Sequence, residues 1–439
     1  MQPLAASLDW EGRFAERLLQ EKLLERKRST SAGNFKIIPG DSPGVTLAGP
    51  AQHHPNPRIH VTRLILIGFI ASAVLGAFTG CGPNARDPQP FGIPTAYKVG
   101  KKPATLVAHD MNNDEFPDLL VLNTDDHTLM FFEGNGDGSF KKPFVMKTGR
   151  EPVALAVADF NGDRIPDTAV CNYGDGNFSV ILGQKDGVFK ILDPVKTGKL
   201  PIAITTGDFN NDRKADLAVT LRFDKLIIFL GNGDGTFKHA EAYIAPGTPA
   251  RLISGDYNGD NNQDLAITFN SIKMNFIRVY NGNGDGTFQV PKKFFGGKQA
   301  SYITQSDMNG DGHLDLIISS PTADSLTLFL GDGKGDFKRQ EDFAAEKGPG
   351  YIVSGEFTGD RIPDLIVGNV RDGDISLLQG RGDGSFIFPH FNYPVGRQPR
   401  AVAGADFNKD GLKDLAVLLY DSATLQIFMR KIDIGRIES

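Results

Sequence analysis

Cysteine and tryptophan are nearly missing from this sequence: it has Cys81 and Cys171, and one tryptophan. Two cysteines close one disulfide at most, which excludes a disulfide scaffold. There is no CxxC pair and no Cys/His cluster, so no structural zinc site is expected. An excess of positive charge is missing too. The formal net charge is −6, whereas a general nucleic-acid binder is strongly basic, so no nucleic-acid partner is expected. Nucleophile elbows, HExxH helices and phosphate-binding loops are all absent, and no enzymatic activity is expected.

Long apolar runs are missing with one exception, "RLILIGFIASAVLGAFTGC" from Arg63 to Cys81. Its uncharged part, Leu64 to Thr79, is 16 residues, short of the roughly 20 that a spanning helix needs. It suits the apolar core of an export signal, with Arg63 in front and small residues behind. The ending "FTGC" resembles a bacterial lipoprotein cleavage box, with Phe78 where leucine is usual. That resemblance implies that Cys81 carries lipid and that the mature chain is an exported lipoprotein on a bacterial outer membrane or cell surface. The alternative is an uncleaved signal anchor. Either way Arg58 and Arg63 stay inside and the rest is exported. A charged, helix-like piece (Glu11 to Arg28) and a Pro/Gly-rich linker precede the signal, which points to a true start near Val61. The expected layout is an extension over 1–60, a signal over 61–80, a linker over 81–90, a repeat domain over 91–432 and a tail over 433–439.

Glycine (51 residues) and phenylalanine (31) are plentiful, as in many short strands joined by tight turns. An acidic nonapeptide recurs seven times: "DMNNDEFPD" at Asp110, "DFNGDRIPD" at Asp159, "DFNNDRKAD" at Asp208, "DYNGDNNQD" at Asp256, "DMNGDGHLD" at Asp307, "EFTGDRIPD" at Glu356 and "DFNKDGLKD" at Asp406. The steps are 49, 49, 48, 51, 49 and 50 residues, so each copy marks one structural unit. Within a unit a short strand leads into the acidic loop. An apolar strand, a polar turn and a third strand follow. Then come a glycine turn such as "GNGDGTF" and a last strand. Four strands with no helical periodicity, the second apolar on both faces, predict an all-β, seven-bladed propeller of four-stranded blades. The seventh unit stops after its third strand. "FGIPTAYKVG" (Phe91–Gly100) has the shape of a missing fourth strand and is expected to complete the last blade, leaving no free edge.

The acidic loop followed by a G-x-G-D-G-x-F turn resembles the FG-GAP/VCBS repeat family, which includes the propeller of integrin alpha subunits. The resemblance spans Phe91 to about Arg430 and implies a calcium-stabilised propeller. It implies no single activity. The loop residues themselves point to Ca²⁺, which takes six to eight hard oxygen ligands from a compact loop. Positions 1, 3, 5 and 9 are the candidate ligands. They are Asp110, Asn112, Asp114 and Asp118 in the first unit, and Asp159, Asn161, Asp163 and Asp167 in the second. Asp208, Asn210, Asp212 and Asp216 serve the third, and Asp256, Asn258, Asp260 and Asp264 the fourth. Asp307, Asn309, Asp311 and Asp315 serve the fifth, and Asp406, Asn408, Asp410 and Asp414 the seventh. The sixth unit departs, with Glu356, Thr358, Asp360 and Asp364, and is expected to be the weakest site. Three carboxylates in nine residues repel one another unless a cation joins them. An EF-hand is excluded, because its bidentate position 12 is Val or Ile in all seven units, from Val121 to Val417. Position 2 is always large and apolar (Met111, Phe160, Phe209, Tyr257, Met308, Phe357, Phe407) and is expected to plug the space between blades, so that metal supports packing.

His109, His127, His239, His313 and His390 fall at different repeat positions and form no constellation. The tripeptide Arg381–Asp383 reads as an ordinary glycine turn. Acidic loops and glycine turns should share one face of the ring, and the connections between blades the other. Five connections place a basic residue at one equivalent position: Lys101, Arg150, Lys199, Lys298 and Arg397. This partial ring is the candidate site for an anionic ligand such as an acidic glycan. The expected function is a monomeric binding or adhesion module for glycan or protein. A lyase-like enzyme on polysaccharide and a scaffold subunit of a secreted complex are the alternatives.

Overall fold

The structure, a computed structural model, describes residues 90–431 apart from 270–275, 298 and 389. The expected extension, the signal with Cys81, the linker up to residue 89, the tail and Lys298 lie outside the described residues. Among the described residues no helix is long and apolar enough to cross a membrane.

Seven antiparallel sheets form the blades. The first runs Pro103–His109, Asp118–Asn123, Thr128–Phe132 and Phe144–Lys147, paired in that order. The next five repeat this order, and the outer strand is broken in two in the second and fifth. The seventh blade is Pro399–Ala405, Asp414–Leu419 and Thr424–Phe428, with Thr95–Lys98 as its outer strand. Thr95 stands opposite Ile427 and Lys98 opposite Thr424. Closure by the N-terminal strand is therefore as the repeat pattern predicts.

The second strand of every blade is buried along its whole length. Alternate residues of a strand point to opposite faces, and both faces meet a neighbouring blade. In the first blade Leu119 and Val121 pack with Phe407, Ala416 and Leu418 of the seventh. Leu120 and Leu122 pack with Leu155, Val170 and Ile181 of the second. This is why these strands lack hydrophobic–polar alternation.

The position-2 residues are all buried, at 0–2% exposure, as expected of plugs. Their partner is the phenylalanine that ends the next blade's glycine turn. Phe160 meets Phe237 edge to face at 5.4 Å, Phe209 meets Phe288 at 5.5 Å, Tyr257 meets Phe337 at 5.7 Å, and Phe407 meets Phe140 at 5.4 Å. Backbone bonds reinforce the same junction. The turn's last glycine donates from its N–H to the position-2 carbonyl of the preceding blade, as from Gly235 to Phe160 (2.9 Å) and from Gly286 to Phe209 (2.8 Å). That glycine has φ near +84° (Gly235 +83°, Gly286 +85°), a conformation open to glycine at little cost.

Candidate functional site

Each acidic loop is a ladder of side-chain to backbone hydrogen bonds. In the first loop the Asp114 N–H donates to both Asp110 Oδ1 and Asn112 Oδ1, each at 3.1 Å. Asn112 Nδ2 donates to Asp114 Oδ2 at 2.9 Å. The Glu115 N–H donates to Asp110 Oδ2 at 2.8 Å, and the Phe116 N–H to Asp114 Oδ1 at 2.8 Å. The second, third, fifth and seventh loops repeat the shared donation from position 5. One N–H bonded to two side-chain oxygens forces positions 1 and 3 together, and position 5 joins them. In these five loops the side chains at positions 1, 3 and 5 are therefore brought together.

The fourth, position 9, is held differently. Asp118 is wholly buried as the first residue of the second strand. Its Oδ2 accepts the N–H of Met111 (2.9 Å) and its Oδ1 that of Gly134, where the glycine turn begins (2.8 Å). The same two-handed clamp recurs at Asp167, Asp216, Asp264, Asp315, Asp364 and Asp414. It ties loop to turn and proves that both lie on one face. Burial is the main reason the Asp118 carboxyl is pushed up to about 7, and the other six up to about 6. The two backbone bonds pull the other way, and the nearby loop carboxylates add to the rise.

The donor set fits a hard cation. All four side chains offer oxygen, and an ionised carboxylate keeps further lone pairs after accepting one N–H bond. Among the described residues no three acidic, histidine or cysteine side chains are drawn close enough to hold a metal by themselves. The third loop oxygen comes from the position-3 amide, and position 9 is engaged with the backbone.

The sixth loop is built differently. Arg430 takes the place that Gly134, Gly282 and Gly380 hold in other blades: its N–H donates to Asp414 Oδ1 (2.7 Å), and it bridges Phe91 as those glycines bridge Phe140, Phe288 and Phe386. Its guanidinium, 10% exposed, lies 3.9 Å from Glu356 Oε1. A cationic side chain thus occupies the neighbourhood of the loop that lost Asp and Asn at positions 1 and 3. Sequence reading missed Arg430; a charged residue where other units carry glycine was the available signal.

On the opposite face one of the four described basic positions, Arg150, is already paired. Its partner is Asp175 (Nε–Oδ1 2.6 Å), and the Arg150 backbone N–H donates to the same carboxylate. The Lys101 N–H donates to Asp126 Oδ2 at 2.7 Å. Lys199 and Arg397 are exposed. Asp126 and Asp175, in the turns after the second strands of the first two blades and overlooked in the sequence, sit beside Lys101 and Arg150. Arg381–Asp383 is a turn, as expected: Asp383 Oδ1 accepts from the Ser385 N–H (2.9 Å) and hydroxyl (2.6 Å). Cys171 is a buried free thiol, held far above its ordinary range by burial.

This architecture, seven blades each with an acidic loop and six of them with a glycine turn, is a repeat propeller. A family model of the FG-GAP-like repeat matches six overlapping stretches, 110–170, 159–219, 208–267, 256–318, 307–367 and 356–417. Together these span more than half of the chain, which belongs to the FG-GAP-like repeat family. No curated protein matches it. Among solved structures it is similar to BBS1N in complex with ARL6DN, soaked with lead (TM-score 0.55, 12% identity, 78% of this chain and 98% of that one). A functionally unknown protein from Desulfotomaculum acetoxidans DSM 771 is similar at TM-score 0.54 and 14% identity, over 70% and 90% of the two chains. A protein from Lactobacillus plantarum is similar at 0.53 and 16%, over 67% and 85%. At such identities the likeness shows the fold alone.

Proposed function

We propose that the chain is a calcium-stapled propeller that works as a binding module for an acidic glycan, exported and anchored through lipid on Cys81. The observation that carries this reading is the division of the ring into two faces. One face is committed to loops, turns and their clamps, which have the oxygen chemistry of Ca²⁺ sites. The other has short connections, joined across blades by bonds such as that from the Glu151 N–H to His127 Nδ1 (3.1 Å), and is the surface left for a ligand. The metal is a staple, since it draws together a loop whose position 2 plugs the next blade. A binding role is favoured over a lyase-like one because units of 48–51 residues leave little chain for a catalytic cleft with base, neutraliser and proton donor.

A glycan array probed with calcium and with chelator tests the function. Retention on acidic glycans that needs calcium is the expected result; equal retention on neutral glycans would refute it. Mass spectrometry of the membrane fraction tests the anchor. A lipid-modified peptide beginning at Cys81 is expected, and a mature chain with an unmodified Cys81 would refute it.

A further inference from the structure

The innermost strands line the central channel, and their side chains bridge neighbouring blades, as where Thr105 Oγ1 donates to Val153 O (2.9 Å). Five residues before each loop begins, three successive blades carry Arg251, Tyr302 and Tyr351. The other four carry Thr105, Ala154, Ala203 and Ala401 at the same place. The channel wall is therefore lopsided, large and polar on one side and small on the other.

The large residues meet. Arg251 Nη2 donates to Tyr302 Oη in the next blade (2.5 Å) and to Tyr351 Oη two blades on (3.3 Å). The two tyrosine rings lie 3.9 Å apart between centroids, and the guanidinium sits 4.3 Å from the centre of the Tyr302 ring. Arg400 approaches from the seventh blade, 5.8 Å from the Tyr351 ring. Blades diverge from the axis, so side chains two blades apart touch only close to it. All four residues lie near the beginning of an innermost strand, at the channel mouth on the face away from the acidic loops.

A counter-charge is what Arg251 lacks. Among the described residues Arg251 forms no ion pair; its guanidinium donates to Ala250 O and to the two tyrosine hydroxyls. Arginine does not lose its proton, and a part-buried charge calls for a counter-charge. The charged groups acting on Tyr302 are Arg251 and Arg400, both positive. Burial raises the Tyr302 hydroxyl well above its ordinary range, so that residue does not supply the negative charge.

We infer that Arg251, Tyr302, Tyr351 and Arg400 form the floor of a pocket at this mouth, and that its ligand is an acidic sugar held by its carboxylate. The inference rests on the acidic-glycan reading above and moves the site from the rim, where Arg150 is already paired, to the axis. A guanidinium fork matches a planar carboxylate. Tyrosine offers a flat apolar surface with a hydroxyl at its edge, which suits a pyranose ring. Thr105 and Ala154, small and part-exposed on the first two blades, leave room for that ring, whereas Ala203 and Ala401 are buried. An axial pocket admits the end of a chain and not its middle.

The test is calorimetric titration of the full chain, purified in detergent with calcium, against a tetrasaccharide ending in glucuronate, its glucose-ended counterpart, and acetate. The acidic tetrasaccharide should bind, and the neutral one should bind about tenfold or more weaker. Arg251→Gln should cost about tenfold or more, as loss of a charged hydrogen bond does. Tyr302→Phe should weaken binding with little change in the unfolding temperature, and it decides the matter if Arg251→Gln fails to fold. Wild-type affinity in both variants would overturn the pocket and leave the glycan reading standing. No binding of the acidic tetrasaccharide to the wild-type chain would overturn both. Acetate binding as tightly as the tetrasaccharide would overturn the assignment of a sugar.

Discussion

Arg430 Nη1 lies 3.9 Å from Glu356 Oε1, so a residue just past the seventh blade's third strand reaches the one acidic loop that breaks the consensus. The two departures explain each other. The seventh blade has no glycine turn to offer the sixth loop, and the side chain at that place is a cation. A guanidinium beside Glu356 does part of what Ca²⁺ would do in the other loops, and a second cation there would be repelled. Native mass spectrometry in calcium should therefore find six bound ions and not seven. The triple variant Glu356→Asp, Thr358→Asn, Arg430→Gly should bind one more. Seven ions on the wild-type chain would contradict this.

Closure depends on Thr95–Lys98 lying against Thr424–Phe428. Removing residues through Gly100 would expose the Thr424–Phe428 edge, rich in unpaired N–H and C=O groups. It would also remove Phe91, buried at 2% and edge to face with Tyr393 at 5.5 Å. The shortened chain should dimerise or aggregate at concentrations where the full chain stays monomeric. Size-exclusion chromatography with light scattering checks this, and a stable monomer would count against it.

The parts of this fold that repeat were legible in the sequence, because each unit solves the same problem with the same residues. Asp118 and its counterparts, Phe160 and the other plugs, and the Phe91 strand all stand where the pattern puts them. What could not be read were contacts between unlike positions of different units. Arg430 meets Glu356, and Arg251 meets Tyr351, only because the ring closes and brings four innermost strands to one mouth. The reading of Arg150 as part of a basic ring overlooked Asp175, which comes from a turn at a different repeat position. The second role of Asp118, clamping the Met111 and Gly134 N–H groups, is invisible in a spacing that looks only like a ligand set.

The plug at each junction should carry much of the stability. Phe209 is buried at 1%, packed on Phe288, and bonded through its carbonyl to the Gly286 N–H. Phe209→Ala leaves a cavity between two blades and should cost about 3–5 kcal/mol. Urea unfolding followed by circular dichroism measures it. A loss under 1 kcal/mol, the size of an ordinary surface change, would show that the junction repacks.

Calcium and pH should be linked through the buried clamps. In the metal-free chain the folded Asp118 carboxyl titrates near 7 and its six counterparts near 6, each raised chiefly by burial, while unfolded aspartate titrates near 3.9. Between these values the folded chain binds more protons than the unfolded one. Stability contributed by the protonated clamps is therefore full below about pH 4 and is lost as pH rises through 6 to 7. A cation in the loop favours the ionised form and removes that loss. The unfolding temperature in chelator should fall from pH 5 to pH 7.5, and the rise on adding calcium should be larger at the higher pH. Calorimetry at both pH values, with and without calcium, checks the sign. A chelated protein that grows more stable across this range would mean that the clamps are ionised without a metal, and that the staple lies elsewhere.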